Sequence, residues 1–253
     1  MTIIKFGTDG WRAIIAEDYT IENIRRVATG TALWMKSKNM KQLVIGHDCR
    51  FGGRMFLEET AIVIASHGIK VLMAEGFVST PMVSLGVIQH KADLGIVITA
   101  SHNPASYNGY KLKSSYGGPT IPSEIAEVEQ LIPSTVIPDW KAFSDYIEDH
   151  SIEIVNLEDD YFTHVKNNFN LDILRTHTKV AYDAMYGAGQ RIMKKILPDL
   201  VPFHCEYNPG FNNTPPEPIA KNMTEISAYL ANVGDKVGIA HDGDADRVAM
   251  LDE

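Results

Sequence analysis

Short apolar runs alternate with longer stretches of helical period along the first half of the chain. Residues 20–37, "TIENIRRVATGTALWMKS", bring Ile21, Ile24, Val27, Ala28, Thr31 and Trp34 to one face, and Thr20 stands where its hydroxyl can cap the first turn. That spacing predicts an amphipathic helix. "QLVIGHD" (42–48) and "GIKVLMA" (68–74) are near-continuous apolar runs, which fits strands buried on both faces, and the segment near 54–67 between them has helical period. The result is a β-α-β rhythm. Pro81, at a first-turn position, opens a further helix over 80–91, and "DLGIVITA" (93–100) is the next buried strand. "NGYKLK" follows as a strand that can return antiparallel, so the sheet is expected to be mixed, and "SEIAEVEQLI" predicts a helix before Pro133.

From 134 to 156 the periodicity weakens, and this Pro- and acid-containing stretch is expected to be a linker. A second unit starts near Leu157. It carries a helix over 158–168, a strand over 178–185, a helix over 187–196, a strand in "VPFHCEY", a helix over 223–232, and strands in "KVGIAHD" and "RVAMLDE". The pattern predicts an α/β fold of two consecutive domains, 1–155 and 156–253, each a mixed sheet flanked by helices.

With 253 residues, 45% of them apolar, the chain can build well-developed cores. Its 23 basic residues are outnumbered by 32 acidic ones, for a net charge of −9, and no basic cluster offsets that average. A nucleic-acid partner is therefore not expected. No run is long enough to span a bilayer, and "MTIIKFGTDGWRAII" lacks the basic-then-apolar pattern of a secretory leader, so a cytoplasmic protein without a membrane partner is expected. Cys49 and Cys205 lie far apart without metal-ligand spacing and are expected to be reduced thiols.

Three stretches carry possible chemistry. "VITASHNPASYNGYKLK" (97–113) ends a buried strand on Thr99, Ser101, His102, Asn103, Asn108 and Lys111. Ser101 stands where the chain leaves the sheet, and it is either a nucleophile helped by a base or metal or a turn residue leading to Pro104. In "HDGDADRVAMLDE" Asp242, Asp244 and Asp246 alternate, which puts three carboxylates on one side of a loop, as a hard divalent cation needs. A calcium-hand loop is disfavoured: Arg247 replaces its glycine, Met250 takes a ligand position although Glu253 falls at the last one, and the flanks read as strands. Magnesium fits better than calcium, and an acidic turn in solvent is the alternative. "FGTDGWRA" (6–13) is either a hairpin or a close backbone approach in which Arg12 offers a fork for phosphate or carboxylate. Arg50 in "DCR" reads as a surface or ion-pair residue and not as a ligand contact.

Taken together and in this order, "FGTDGWRA", "TASHNPASYNGYK" and "DGDADR" resemble the N-terminal active-site segment, the phosphoserine loop and the metal loop of the α-D-phosphohexomutase family, which includes phosphoglucomutases and phosphomannomutases. The resemblance implies that Ser101 carries a transferable phosphoryl group. It also implies that Asp242, Asp244 and Asp246 bind Mg²⁺ together with Ser101, and that Arg247 steadies the phosphoryl group. By the same resemblance Lys111 is a proton-transfer partner that also contacts phosphate, and Arg12 and His102 are active-site contacts, with Arg12 binding substrate phosphate. The implied reaction interconverts hexose 1-phosphate and hexose 6-phosphate, of glucose or mannose, through a hexose 1,6-bisphosphate. A metal-dependent phosphatase and a non-catalytic cation or sugar-phosphate binding module are the competing readings. Family members are expected to be about twice as long, with four domains. Neither the later sugar-recognition loop nor the C-terminal phosphate-binding loop is found in this sequence. An N-terminal part of a longer enzyme, with little turnover without the remaining domains, is the expectation.

Overall fold

The computed structural model describes residues 3–177, 179–233 and 237–252. The first sheet draws on β1 (Trp11–Ile14), β2 (Gln42–His47), β3 (Lys70–Ala74), β4 (Leu94–Ile98), β5 (Tyr107–Ser114) and β6 (Ile152–Val155), in the spatial order β1-β5-β4-β2-β3-β6. β2, β3, β4 and β6 run parallel, while β5 returns antiparallel to β4 and β1. The sheet is thus mixed, as the sequence predicts. The helices α1 (Ile21–Ser37), α2 (Gly53–Ser66), α3 (Thr80–Gln89), α4 (Pro122–Gln130) and α5 (Phe143–Glu148) are interleaved with these strands.

The predicted helix over 20–37 forms with Thr20 as its N-cap, the side chain accepting from the Asn23 amide at 3.2 Å. Of its predicted apolar face, Ile24, Val27, Ala28, Thr31 and Trp34 are buried, and Ile21 packs partly buried against the same core. That core joins α1 and α2 to Leu43, Ile45, Ile96 and Ile98 on one sheet face. The opposite face, Val44, Leu72 and Val97, is covered by Val83 and Val87 of α3 and by Leu157 of α6 (Leu157–Asn168). Both faces are buried, which is why β2 and β4 read as continuous apolar runs.

The segment 134–156 is not a bare linker. It contains α5 and β6, and β6 closes the edge of the first sheet with Ile152 opposite Val71. These elements are short and contribute single well-buried residues, Tyr146 and Ile152, too few for a period to show in the sequence. The short helix α7 (Leu171–His177) is likewise not among the elements that the sequence predicts.

The second sheet has the order β10-β9-β7-β8, with β7 (Val180–Asp183), β8 (Val201–Phe203), β9 (Val237–His241) and β10 (Val248–Leu251). β7, β8 and β9 are parallel and β10 turns back antiparallel on β9. Helices α8 (Gln190–Ile196) and α9 (Thr224–Val233) complete this unit. Thr178, Lys236 and Glu253, expected within its strands, lie outside the described residues. Ile192 of α8 joins the core cluster formed by α3, α6 and the first sheet, so the two units share packed apolar surface. A backbone bond extends that seam: the Thr80 amide donates to Asp244 O at 2.9 Å.

Candidate active site

Parallel pairing of β2 with β4 sets His47 opposite Ile98, so the residues that follow each strand leave the sheet side by side. Asp48 and Thr99 therefore meet, and the Thr99 hydroxyl donates to Asp48 Oδ2 at 2.6 Å. Thr99 Oγ1 in turn accepts the Ser101 amide at 2.8 Å, which holds Ser101 at a left-handed φ of 54°. The Ser101 side chain is fully buried, and its Oγ donates to Asp242 Oδ2 at 2.8 Å. Asp242 follows β9, so the hydrogen bond joins the strand ends of the two sheets.

The three aspartates fold into one cluster, with one carboxylate oxygen of each within 4.8 Å of the others. Asp242 Oδ1 accepts the amides of Asp246 and Arg247, both at 3.1 Å, which closes the loop on itself. Burial, then the neighbouring Asp244 and Asp246 charges, push the Asp242 carboxyl up to about 7. Asp244 is fully buried. Burial alone would raise its pKa, but the Lys111 ammonium and hydrogen bonds from Lys111 and Thr80 outweigh it and hold the carboxyl below its usual range. Its Oδ2 accepts from Thr80 Oγ1 at 2.6 Å and from Lys111 Nζ at 2.8 Å, whereas Oδ1 is buried without a partner. An orphaned carboxylate oxygen beside two further carboxylates is an open valence that suits a hard divalent cation with oxygen ligands.

Lys111 projects from β5 into this cluster, 2.7 Å from Asp9 Oδ2, 2.8 Å from Asp244 Oδ2 and 3.0 Å from Asp246 Oδ2. Burial opposes its charge, yet the three carboxylates outweigh that penalty and raise its pKa, so the amine stays protonated. Asp9 reaches it because "FGTDGWRA" makes a tight turn, with the Gly7 amide on Gly10 O at 2.9 Å and Gly10 at φ 100°. That stretch is the hairpin the sequence allowed, and its turn presents Asp9 to Lys111.

Arg12 Nη1 donates to Asn103 Oδ1 at 2.7 Å, and Arg247 Nη1 to His102 Nδ1 at 2.9 Å. Both arginines line a cavity of about 490 Å³ together with Lys5, Gly7, Thr8, Asp9 and Gly10. Burial, then the Arg247 and Arg12 charges, lower the His102 pKa and favour a neutral imidazole. Among the described residues the Ser101 hydroxyl is bonded to Asp242 and not to His102. Ser101 is therefore not arranged as a nucleophile activated by histidine.

Sequence reasoning missed Asp48, Thr80 and the true place of Arg50. Arg50 is an ion-pair residue, its Nε 3.2 Å from Asp48 Oδ2, but it is buried and not at the surface. The "DCR" string was the available signal; it says nothing about the loop some 50 residues on that covers it.

The family assignment follows from both sequence and structure. The model for phosphoglucomutase/phosphomannomutase alpha/beta/alpha domain I matches residues 4–136, and that for domain II matches residues 159–253. The chain belongs to the phosphoglucomutase/phosphomannomutase family. It is 31% identical to a protein of Methanosphaera stadtmanae named a probable phosphoglucosamine mutase, over 98% of this chain and 54% of that relative. The crystal structure of a provisionally named phosphomannomutase of Thermus thermophilus superposes with a TM-score of 0.91 at 32% identity, over 99% of this chain and 57% of the other. A more distant structure, Aspergillus fumigatus N-acetylphosphoglucosamine mutase in complex with GlcNAc-6P and magnesium, shares the fold alone. Its TM-score is 0.51 at 15% identity, over 98% of this chain and 50% of that one. The chain spans about half the length of the curated relatives it matches. Among the described residues no helix is long and apolar enough to cross a membrane.

Proposed function

We propose that this chain supplies the phosphoryl-carrier and metal-binding half of a phosphohexomutase that interconverts hexose 1-phosphate and hexose 6-phosphate. The observation that carries this reading is the 2.8 Å hydrogen bond from Ser101 Oγ to Asp242 Oδ2, which seats a buried hydroxyl on the rim of a three-carboxylate cluster. Asp242, Asp244 and Asp246 are the residues that would hold Mg²⁺. When bound, the ion neutralises charge on phosphoryl oxygens and so favours transfer.

The chain's own groups divide the remaining work. In the proposed cycle the P–Oγ bond of phosphoserine 101 breaks as a bond forms from phosphorus to the free hydroxyl of a hexose monophosphate. The hydroxyl proton is passed on and Ser101 Oγ ends protonated. Lys111, kept as an ammonium by three carboxylates, is the proposed relay: it gives a proton to Ser101 Oγ and takes up the one the sugar hydroxyl releases, so that it ends the step as an ammonium again. The resulting hexose 1,6-bisphosphate turns over and gives its other phosphoryl group back to Ser101. Arg12 and Arg247 line the adjoining cavity and supply the cationic side chains that an anionic sugar requires in a chain of net charge −9.

Names of the relatives add glucosamine phosphate to the glucose and mannose phosphates considered as substrates. Incubating the chain with Mg²⁺ and either glucose 1,6-bisphosphate or glucosamine 1,6-bisphosphate, followed by peptide mass mapping, tests both points. The expected product is one phosphoryl group on the peptide containing Ser101, with the faster donor marking the preferred sugar. No phosphate on Ser101 with any donor overturns the mutase reading in favour of a binding module. Steady release of inorganic phosphate without sugar isomerisation by the full-length protein points to a phosphatase.

A further inference from the structure

We propose that Arg50 is the positioning residue of the carrier serine, and that it fixes the distance between Ser101 and the aspartate loop. The inference rests on reading Ser101 as the phosphoryl carrier.

The guanidinium has five N–H donors in a planar fork, and every one is used. Nε donates to Asp48 Oδ2 at 3.2 Å; Nη1 donates to Pro104 O at 2.9 Å and Tyr107 O at 3.1 Å; Nη2 donates to Ser101 O at 2.6 Å and Asn103 O at 2.7 Å. The loop that carries Ser101 thus turns four backbone carbonyls inward onto one side chain. Asp48 ties the other end of this arrangement, because the oxygen that pairs with Arg50 also accepts from Thr99, whose hydroxyl accepts the Ser101 amide. Both the N–H and the C=O of Ser101 are therefore held by the Asp48–Arg50 pair, directly or through one hydroxyl.

The same guanidinium faces the second unit. A Cβ on Gly243 would lie 2.5 Å from Ser101 O and 3.6 Å from Arg50 Nη2, so the aspartate loop packs backbone to backbone against the carbonyl that Arg50 holds. Gly243 sits between Asp242 and Asp244. Phe211, also from the second unit and buried, stacks on the guanidinium with its ring centroid 5.0 Å from the Arg50 carbon. Arg50 thus holds the serine loop and meets the Phe211 ring, and it lies just beyond the carbonyl against which Gly243 packs. Lysine cannot take its place, because a point charge with three donors cannot serve four carbonyls and a carboxylate.

The test compares the 253-residue chain with its Arg50→Lys and Phe211→Leu variants. It reads amide exchange over residues 99–109, Mg²⁺ affinity, and the rate of Ser101 phosphorylation by saturating glucose 1,6-bisphosphate. In that reaction a sugar O–P bond breaks, the P–Oγ bond forms, and the serine proton ends on the sugar oxygen. For Arg50→Lys, loop exchange is expected to rise at least about tenfold while β2 and β4 are unchanged. Phosphorylation is expected to slow about a hundredfold. Mg²⁺ affinity is expected to stay within about threefold of wild type, since the aspartates keep their own backbone bonds. Phe211→Leu keeps all five hydrogen bonds and is expected to give the same pattern at several-fold size, and it decides alone if Arg50→Lys does not fold. Exchange and phosphorylation within about twofold of wild type, or faster exchange spread equally through β2 and β4, overturn the proposal. If wild type takes no phosphate on Ser101, the functional reading fails and loop exchange still judges the clamp.

Discussion

The loop after β4 and the loop between β9 and β10 meet at two hydrogen bonds, Ser101 Oγ to Asp242 Oδ2 and Arg247 Nη1 to His102 Nδ1, yet their polar groups are satisfied in different ways. Beneath the serine loop, the buried Asp48–Arg50 pair that follows β2 is closed: each oxygen of Asp48 and each donor of Arg50 has a partner inside the protein. In the aspartate loop, burial raises the Asp242 pKa to about 7 and Asp244 keeps an oxygen with no partner. The first arrangement holds a shape, and the second holds an unspent affinity for positive charge. Lys111 supplies part of that charge but approaches only one oxygen of Asp244. The lesson is that preorganisation and ligand affinity here come from adjacent loops built on opposite rules, one complete and one left open.

Breaking the closed side should have the largest effect. Asp48→Ala leaves the Arg50 guanidinium buried and short of its carboxylate, and is expected to cost about 3–5 kcal/mol in denaturant unfolding. A loss under about 1 kcal/mol would show that the pair contributes no such rigidity.

His47, at the end of β2, gives the next effect, and it is read through pH. Burial holds this ring neutral, with its pKa pushed down to about 4 from 6.5, and its Nδ1 lies 2.7 Å from Asp48 O. Below pH 6.5 the unfolded chain binds a proton that the folded chain refuses until near pH 4, so stability falls as pH falls across that window. The loss reaches about 3 kcal/mol at its foot. Asp48, pushed up to about 6 by burial, acts in the opposite sense over the lower part of the window, since the folded chain protonates it first. The clean measurement is therefore the difference between wild type and His47→Gln in unfolding free energy at about pH 7 and about pH 5. An identical pH dependence for the two proteins would remove His47 from the account.

On the open side, Asp244→Asn is expected to weaken Mg²⁺ binding about a hundredfold, or ~2.7 kcal/mol, as measured by titration calorimetry. Unchanged affinity would take Asp244 out of the site. The smallest effect sharpens the contrast. His102 touches Arg247 and not Ser101, so His102→Gln should leave Mg²⁺ affinity within about twofold and unfolding free energy within about 0.5 kcal/mol. A tenfold loss of affinity would mean that the two loops are not as separable as their hydrogen bonds indicate.

Much of this architecture is legible in the sequence where a local period or string encodes it. The α1 face from Ile24 to Trp34, the buried runs of β2 and β4, and the antiparallel return of β5 are of this kind. Ser101, the three aspartates, Lys111 and Arg12 all stand out in the sequence, and the structure brings them to one cleft or its wall. α7 and the β6 edge escape because a short element with one inward residue leaves no period. Thr80 escapes because its partner, Asp244, is 164 residues away. Asp9 is visible only as the residue between two glycines, until the turn places it 2.7 Å from Lys111.

Which residue types are present, in what order, and with what local spacing was determined by the sequence alone. That was enough for the α/β alternation and for the family, since "TASHNPASYNGYK" and "DGDADR" carry their chemistry in adjacent positions. Only the tertiary structure decided which charges are buried together. Desolvation depends on everything packed around a group, and no string of neighbours records it. That is why Arg50, read as a surface or ion-pair residue, is an ion-pair residue buried under a loop, and why the aspartate loop, read as a magnesium site with an acidic turn as the alternative, keeps a buried carboxylate oxygen without a partner.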